Sequence, residues 1–360
     1  MNHALFKRYL AWFCAGFVLA VVGLAATNWV VDPLQFYRKA AYPPLLIGQE
    51  RFQAPGLARN YDYNAVIIGT SMSINITARQ VKEKLGFNVL NLSMQGPSAK
   101  EQHLMLRTAL RTGKVKHVIW ELNYEYLRGD PEWVANYDGT FPYYFYDENA
   151  FNEIHNYLLN VDTTKNTLKI LLARCGVKTY RSRDLETLFT QRATKQFGKA
   201  SVQRAWRRAV RGRAALRAQT PDFAVTNLNR NFDLNVLSLI REYPEVQFHL
   251  YFPPYSAAYY ANVMAAAPEI FEHMIENRKR IFHQTAGLKN VRLHDFQGAA
   301  GIIFDVDNYC DLIHFNSQVN DYILESIRDG RQVLTTVELS QLESLVSQRR
   351  ISSWVEQHVE

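Results

Sequence analysis

Ala65-Val66-Ile67-Ile68-Gly69-Thr70-Ser71 is the stretch that decides the fold. Four apolar, mostly β-branched residues run uninterrupted into a glycine, the pattern of a short strand buried on both faces. The theme repeats downstream. Ile76 to Leu85 predicts a helix, Asn88 to Leu92 a strand, Ser98 to Thr112 a helix and His117 to Leu122 a third strand. Ser98 followed by Glu101 is a capping-box signature at the start of the second helix. Leu234 to Arg241 (helix), Val246 to Phe252 (strand) and Val291 to Leu293 (strand) resume the pattern later, and Val337 to Val359 has the apolar spacing of an amphipathic helix. Short apolar strands alternating with helices predict an α/β fold with a parallel sheet covered on both faces.

Upstream of this core, Tyr9 to Val31 carries no charged side chain, follows Lys7-Arg8 and ends at Asp32-Pro33. A helix of that length spans the roughly 30 Å of a bilayer's hydrocarbon. The basic flank predicts a cytoplasmic Met1 and a chain facing outward after Asp32, with Trp12 and Trp29 near the two interfaces. A cleaved signal peptide, ending at the small pair Gly23 and Ala25, is the alternative. The run is longer than a signal core of roughly 7–15 residues, which favours an uncleaved single-pass anchor. The expected layout is an anchor over 1–33 and an extracytoplasmic domain over 34–360. Asp32 to Asp62, with Pro33, Pro43, Pro44 and Pro55, reads as a linker or an irregular entry segment.

An insertion at about 129–229 interrupts the strand–helix alternation. Of the 41 Lys and Arg, 15 fall between Lys165 and Arg217, against only Asp184 and Glu186, so the net +7 of the chain is concentrated there. The good helix formers from Gln203 to Ala218 predict a helical, basic lobe. Arg207 and Arg208 are candidate contacts for an anionic polymer or lipid headgroups, and a solvated helical face is the plain alternative. An outward-facing location argues against nucleic acid as the partner. The composition, 48% hydrophobic and 21% charged, is that of a folded chain and excludes general disorder. Three cysteines without a Cys-x-x-Cys spacing exclude zinc-ribbon and thioredoxin-like motifs, and only Cys175 and Cys310 lie where they can pair outside the apolar run.

Chemistry-bearing residues follow the strands. Gly69-Thr70-Ser71 follows the first and places a hydroxyl beyond its carboxyl end, where ligands of open α/β sheets bind. Ser71 is expected near a helix start, where unpaired N–H groups favour an anion. Asn91-Leu92-Ser93-Met94-Gln95-Gly96 follows the second strand, and the Gly96 N–H can face an oxyanion. Glu121-Leu122-Asn123-Tyr124 follows the third, and the Asn123 side chain can donate to the same oxyanion. Asp311-Leu312-Ile313-His314 sets a carboxylate and an imidazole three residues apart, the pairing that orients a general base. Each segment alone also fits an ordinary structural role: a serine cap, a turn glycine, a loop asparagine, a capping aspartate. Tyr124 and Tyr255 are further candidates for lining a pocket. His103, His117, His249 and His294 have no metal-ligand spacing, and no metal site is expected.

In combination, Ser71, Gly96, Asn123, Asp311 and His314 stand in the block order of the SGNH (GDSL-like) hydrolases. Val66 to Ser73, Asn91 to Ser98 and Asp311 to Phe315 resemble most the DltD and AlgJ/AlgX-like proteins of the cell envelope. The likeness covers roughly Asp62 to Tyr126 and Gln247 to Ile327. Gly69-Thr70-Ser71 departs from the family's Gly-Asp-Ser, as it does in that branch. The resemblance implies a flavodoxin-like parallel sheet and a triad of Ser71, Asp311 and His314. It implies an oxyanion hole from Ser71, Gly96 and Asn123, and no cofactor. It further implies ester hydrolysis or O-acyl transfer on an envelope polysaccharide, beside a membrane-bound O-acyltransferase as partner. A non-catalytic assembly or polymer-binding protein on the same scaffold is the alternative.

Overall fold

The structure is a computed structural model. It describes residues 3–45, 47–135, 141–147, 150–177, 179, 185, 196–335 and 348–359. The strands are β1 (Ala65–Ile68), β2 (Val89–Asn91), β3 (His117–Glu121), β4 (Gln247–Phe252) and β5 (Val291–Asp295). The helices up to the end of the first half are α1 (His3–Val31), α2 (Glu50–Asn60), α3 (Ala78–Leu85), α4 (Ala99–Leu110), α5 (Tyr124–Leu127), α6 (Ala150–Glu153) and α7 (Val161–Arg174). There follow α8 (Lys199–Arg211), α9 (Arg213–Ala218), α10 (Val225–Asn231), α11 (Ser238–Glu242), α12 (Ala257–Ala266), α13 (Pro268–Thr285), α14 (Ala300–Ile303), α15 (Ser317–Asp329) and α16 (Gln348–His358). The predicted C-terminal helix is observed in its second half as α16; 336–347 lie outside the described residues. The chain divides into two compact units, Met1–Tyr61 with Pro142–Leu188, and Asp62–Phe141 with Phe189–Glu360.

The larger unit holds a five-stranded, all-parallel sheet in the order β2-β1-β3-β4-β5. This is one of the two common doubly wound orders, and its chain reversal lies between β1 and β3. Burial explains the strand composition: β1 is buried at all four positions, which only helices on both faces allow. The flanking helices start where the sequence provides caps. Thr77 with Gln80 and Ser98 with Glu101 form complete capping boxes for α3 and α4. Register brings Ile68 beside Trp120, Glu121 beside Tyr251 and Phe252 beside Asp295, so the strands end along one edge. At that edge Arg278 and Asp295 form a buried ion pair, and Asp295 also accepts from the Gln297 N–H at 2.9 Å.

The smaller unit is built on α1, whose stretch Leu5–Val31 is long and apolar enough to cross a membrane. Turns and bends lead from it to α2, an irregular entry segment as the sequence reads, but one held by specific hydrogen bonds. Asp32 takes a left-handed φ of 51° and turns the chain, and its carboxylate accepts N–H groups from Phe36, Tyr37 and Arg38 and the Tyr157 hydroxyl. The proline at 55, which argued for a loop, sits inside α2. Proline removes the N–H that would bond the Arg51 carbonyl. The Tyr146 hydroxyl bonds that carbonyl instead, at 2.8 Å. Gly56 is needed there, because a Cβ would lie 2.8 Å from the Gln35 carbonyl oxygen and Phe36 Cα.

The basic stretch is not a single lobe, contrary to the sequence expectation. α7 belongs to the smaller unit, where Asn28 donates to Thr164 Oγ1 at 2.9 Å. α8 belongs to the larger, where the Gly198 N–H bonds the Tyr309 carbonyl at 2.9 Å. Long-range hydrogen bonds, invisible to composition, divide it.

Candidate active site

β1 ends at Ile68, and the missing side chain of Gly69, which follows it, is a requirement of the site. A Cβ there would lie 2.2 Å from Ser73 Oγ and 2.8 Å from Glu121 Cβ. The chain then makes a tight turn, with Ser73 and Ile74 N–H groups bonding the Thr70 carbonyl at 3.1 Å each. Ser71 therefore sits in a turn and not at a helix start, since α3 begins only at Ala78. The physical reason is Asn91 at the end of β2. Its side-chain amide donates to the Ser73 and Ile76 carbonyls at 3.0 and 2.9 Å, holding them in a loop. Serine 71 is half-buried, with its hydroxyl facing His314.

The Ser71 Oγ to His314 Nε2 distance is 2.8 Å, and His314 Nδ1 to Asp311 Oδ2 is 2.7 Å. Residues 243 positions apart thus form one hydrogen-bond chain. Asp311 is fixed from its own backbone: Oδ1 accepts the Ile313 and His314 N–H groups at 2.9 and 2.8 Å. Burial by itself would push this carboxyl up. The His314 ring and the two N–H groups outweigh it and hold Asp311 at about 2. The loop is closed by the Cys310 N–H on the His314 carbonyl at 3.0 Å and by a Tyr309–Phe315 bridge. It is pinned to the end of β4 by buried Ser256, whose N–H and hydroxyl both bond the Leu312 carbonyl, and by the Tyr309 hydroxyl on the Pro254 carbonyl.

The other sequence candidates divide. Gly96 has a left-handed φ of 49°, the conformation for which glycine is suited. Asn123 caps α5 through Oδ1, which accepts the Glu125 N–H at 2.9 Å, while Nδ2 donates to Glu121 Oε1 at 3.3 Å. Among the described residues that is the one bond of Nδ2. Tyr124 and Tyr255 are buried core residues, and the Tyr124 hydroxyl bonds Gln297 rather than facing a pocket. Arg207 and Arg208 are exposed on α8. Cys175 and Cys310 are both free thiols and lie in different units. No group of metal-ligating side chains occurs among the described residues.

Sequence reasoning assigned no role to Glu121, yet its side chain organises the site. It is fully buried, at 0% exposure, on the last residue of β3. Its carboxyl accepts the Thr70 hydroxyl at 2.6 Å, the Thr70 N–H at 3.3 Å and the Asn123 amide at 3.3 Å. Burial raises its pKa, against the lowering effect of these hydrogen bonds. The signal was present: a carboxylate closing an otherwise buried strand is rare without a purpose.

No protein-family model matches the chain, and no curated protein matches it. Among solved structures it is similar to a candidate platelet activating factor from Streptococcus pneumonia, at 12% identity and a TM-score of 0.41, over 79% of this chain and 93% of that one. At that distance the functional assignment rests on the geometry of the site.

Proposed function

We propose that the chain is a membrane-anchored serine hydrolase or O-acyltransferase of the SGNH type, facing the extracytoplasmic side and acting on an acylated cell-envelope polymer. The observation that carries this is the unbroken Ser71–His314–Asp311 hydrogen-bond chain at the carboxyl edge of the parallel sheet. Asp311, held ionised, keeps the proton of the ring on Nδ1, so Nε2 can accept the Ser71 proton. The Ser71 oxygen then attacks the acyl carbonyl carbon. His314 passes the proton to the departing alcohol as the ester C–O bond breaks, which leaves the acyl group on Ser71. Water or a sugar hydroxyl reverses the sequence, giving its proton to His314 and releasing free acid or a new ester. The Asn123 amide and the Ser71 and Gly96 N–H groups are assigned to the oxyanion. Glu121 acts as a positioning residue that ties the Thr70–Ser71 turn to Asn123.

The anchoring assignment rests on Leu5–Val31, and the Lys7-Arg8 flank supports a cytoplasmic Met1 by the positive-inside rule. The test of function is turnover of aryl esters and of acylated envelope glycans by the full chain in detergent, with Ser71→Ala as control. Loss of turnover by about three orders of magnitude or more is expected for a triad member. Turnover that survives the substitution removes Ser71 from the mechanism.

A further inference from the structure

The smaller unit leaves apolar surface uncovered next to the apolar helix. Phe151 and Ile154 on α6 and the turn after it are exposed, as are Val161, Leu168, Leu171 and Val177 on and after α7, with Phe151 at 76% and Leu168 at 55%. This is not for want of a core. Phe36, Phe145 and Tyr157 pack as an aromatic cluster, and α7 buries Thr163, Thr167 and Ile170. The exposed side chains are a second, outward face.

The end of α1 fixes where that face lies. Asn28 is fully buried and donates to the Leu158 carbonyl at 2.8 Å and to Thr164 at 2.9 Å. Asp32 holds the Tyr157 hydroxyl at 2.7 Å. The apolar helix and this collar are therefore one body, and a membrane crossed by α1 reaches the collar. One level turn marks the boundary: exposed Trp29 carries the Arg38 guanidinium at 4.1 Å from its ring centre, and that guanidinium also bonds the Trp29 and Val30 carbonyls. Tryptophan and arginine side by side at a helix end suit the headgroup zone. Asn28, one residue away, is where α7 docks.

We infer that the collar, α6 to α7 with Val177, is immersed in the outer headgroup–acyl boundary as a second membrane contact, with the lipid bilayer as its partner. This rests on α1 being a membrane span. Charge sets the depth. Lys165, Lys169 and Arg174 are exposed on the same helix. Such side chains are costly at the bilayer centre but reach phosphates from the boundary by snorkelling. The collar thus lies shallow, apolar side chains in the acyl edge and cations among the headgroups, as interfacial helices do.

The test uses the full chain in vesicles of phosphatidylcholine and phosphatidylglycerol, with Cys14→Ser, Cys175→Ser and Cys310→Ser as background. Spin labels are placed singly through Val18→Cys in α1, Phe151→Cys and Leu168→Cys in the collar, and Glu242→Cys in the larger unit. Collision with oxygen and with a water-soluble nickel chelate is then compared. The expected result is lipid-type collision at Val18, Phe151 and Leu168, shallower at the latter two, and water-type at Glu242. Water-type collision at Phe151 and Leu168 with Val18 still in lipid overturns the collar proposal and leaves the anchor standing. Water-type collision at Val18 overturns the anchor itself. Collar labels screened from both reagents place protein on this face, and also overturn the proposal.

Discussion

Glu121 decides how the candidate nucleophile is held. Its buried carboxyl serves Thr70 twice and Asn123 once, so one side chain couples the turn carrying Ser71 to the amide assigned to the oxyanion. Because burial favours its uncharged form, Glu121→Gln supplies nearly the same shape and charge. That variant is expected to keep kcat within about tenfold of the parent, the span of a single retained hydrogen-bond network. Glu121→Ala strands the Thr70 and Asn123 donors, each at a cost of about 1–3 kcal/mol when buried. It should lower the unfolding midpoint and reduce kcat more than KM, as loss of transition-state contacts does. A glutamine variant as impaired as the alanine variant would mean that the charge itself is required. At this scale the pairing of Ser71, His314 and Asp311 was legible from motif order, and a buried carboxylate at 121 was visible, but its partners were not. They come from the turn after β1 and from just past the end of β3, and their proximity exists only once the sheet has formed.

Among the elements, β3, β4 and β5 each carry a histidine, His117, His249 and His294. The rings of His117 and His249 stack at 5.9 Å, and Phe87 lies on His117 at 4.0 Å. His249 is buried, and neither of its ring nitrogens meets a hydrogen-bond partner among the described residues. Burial pulls His249 down from 6.5 to about 3 and His103 from 6.5 to about 4, and it also lowers His117 and His294. These folded-state values lie below the unfolded one. Stability is therefore complete above pH 6.5 and is lost as the pH falls from there toward the folded values. Below pH ~6.5, His249 and His103 should each remove about 1.4 kcal/mol per pH unit, an order-of-magnitude figure. Glu121, raised by burial, works in the opposite sense above the ordinary carboxylate range. The prediction is a urea midpoint that drops on acidification, with a shallower drop in His249→Leu; identical slopes would contradict it. The strands themselves were readable because buried parallel strands are continuous apolar runs. The turn after β1 was misjudged as a helix start, because the Asn91 side chain reaches it across the sheet.

For the whole molecule, α1 was legible from the length of its uncharged run, but what it joins was not. Asp32 to Asp62 and the chain from Pro142 to Leu188 look in sequence like a linker and part of a basic insertion. Pairings 125 and 136 residues apart, Asp32 with Tyr157 and Asn28 with Thr164, belong to one unit of Met1–Tyr61 with Pro142–Leu188, which includes the helix. The mature chain is expected to sediment with membranes after alkaline carbonate washing and to begin at its own N-terminus on sequencing. A soluble form starting near Ala26 would contradict this.

The most direct measurement of the central claim is covalent labelling of the full chain by a fluorophosphonate, which reports a serine activated by its neighbours. The account predicts one adduct, at Ser71, absent from Ser71→Ala and strongly slowed in His314→Ala and Asp311→Asn. An adduct at another serine, or none on folded protein, would contradict it.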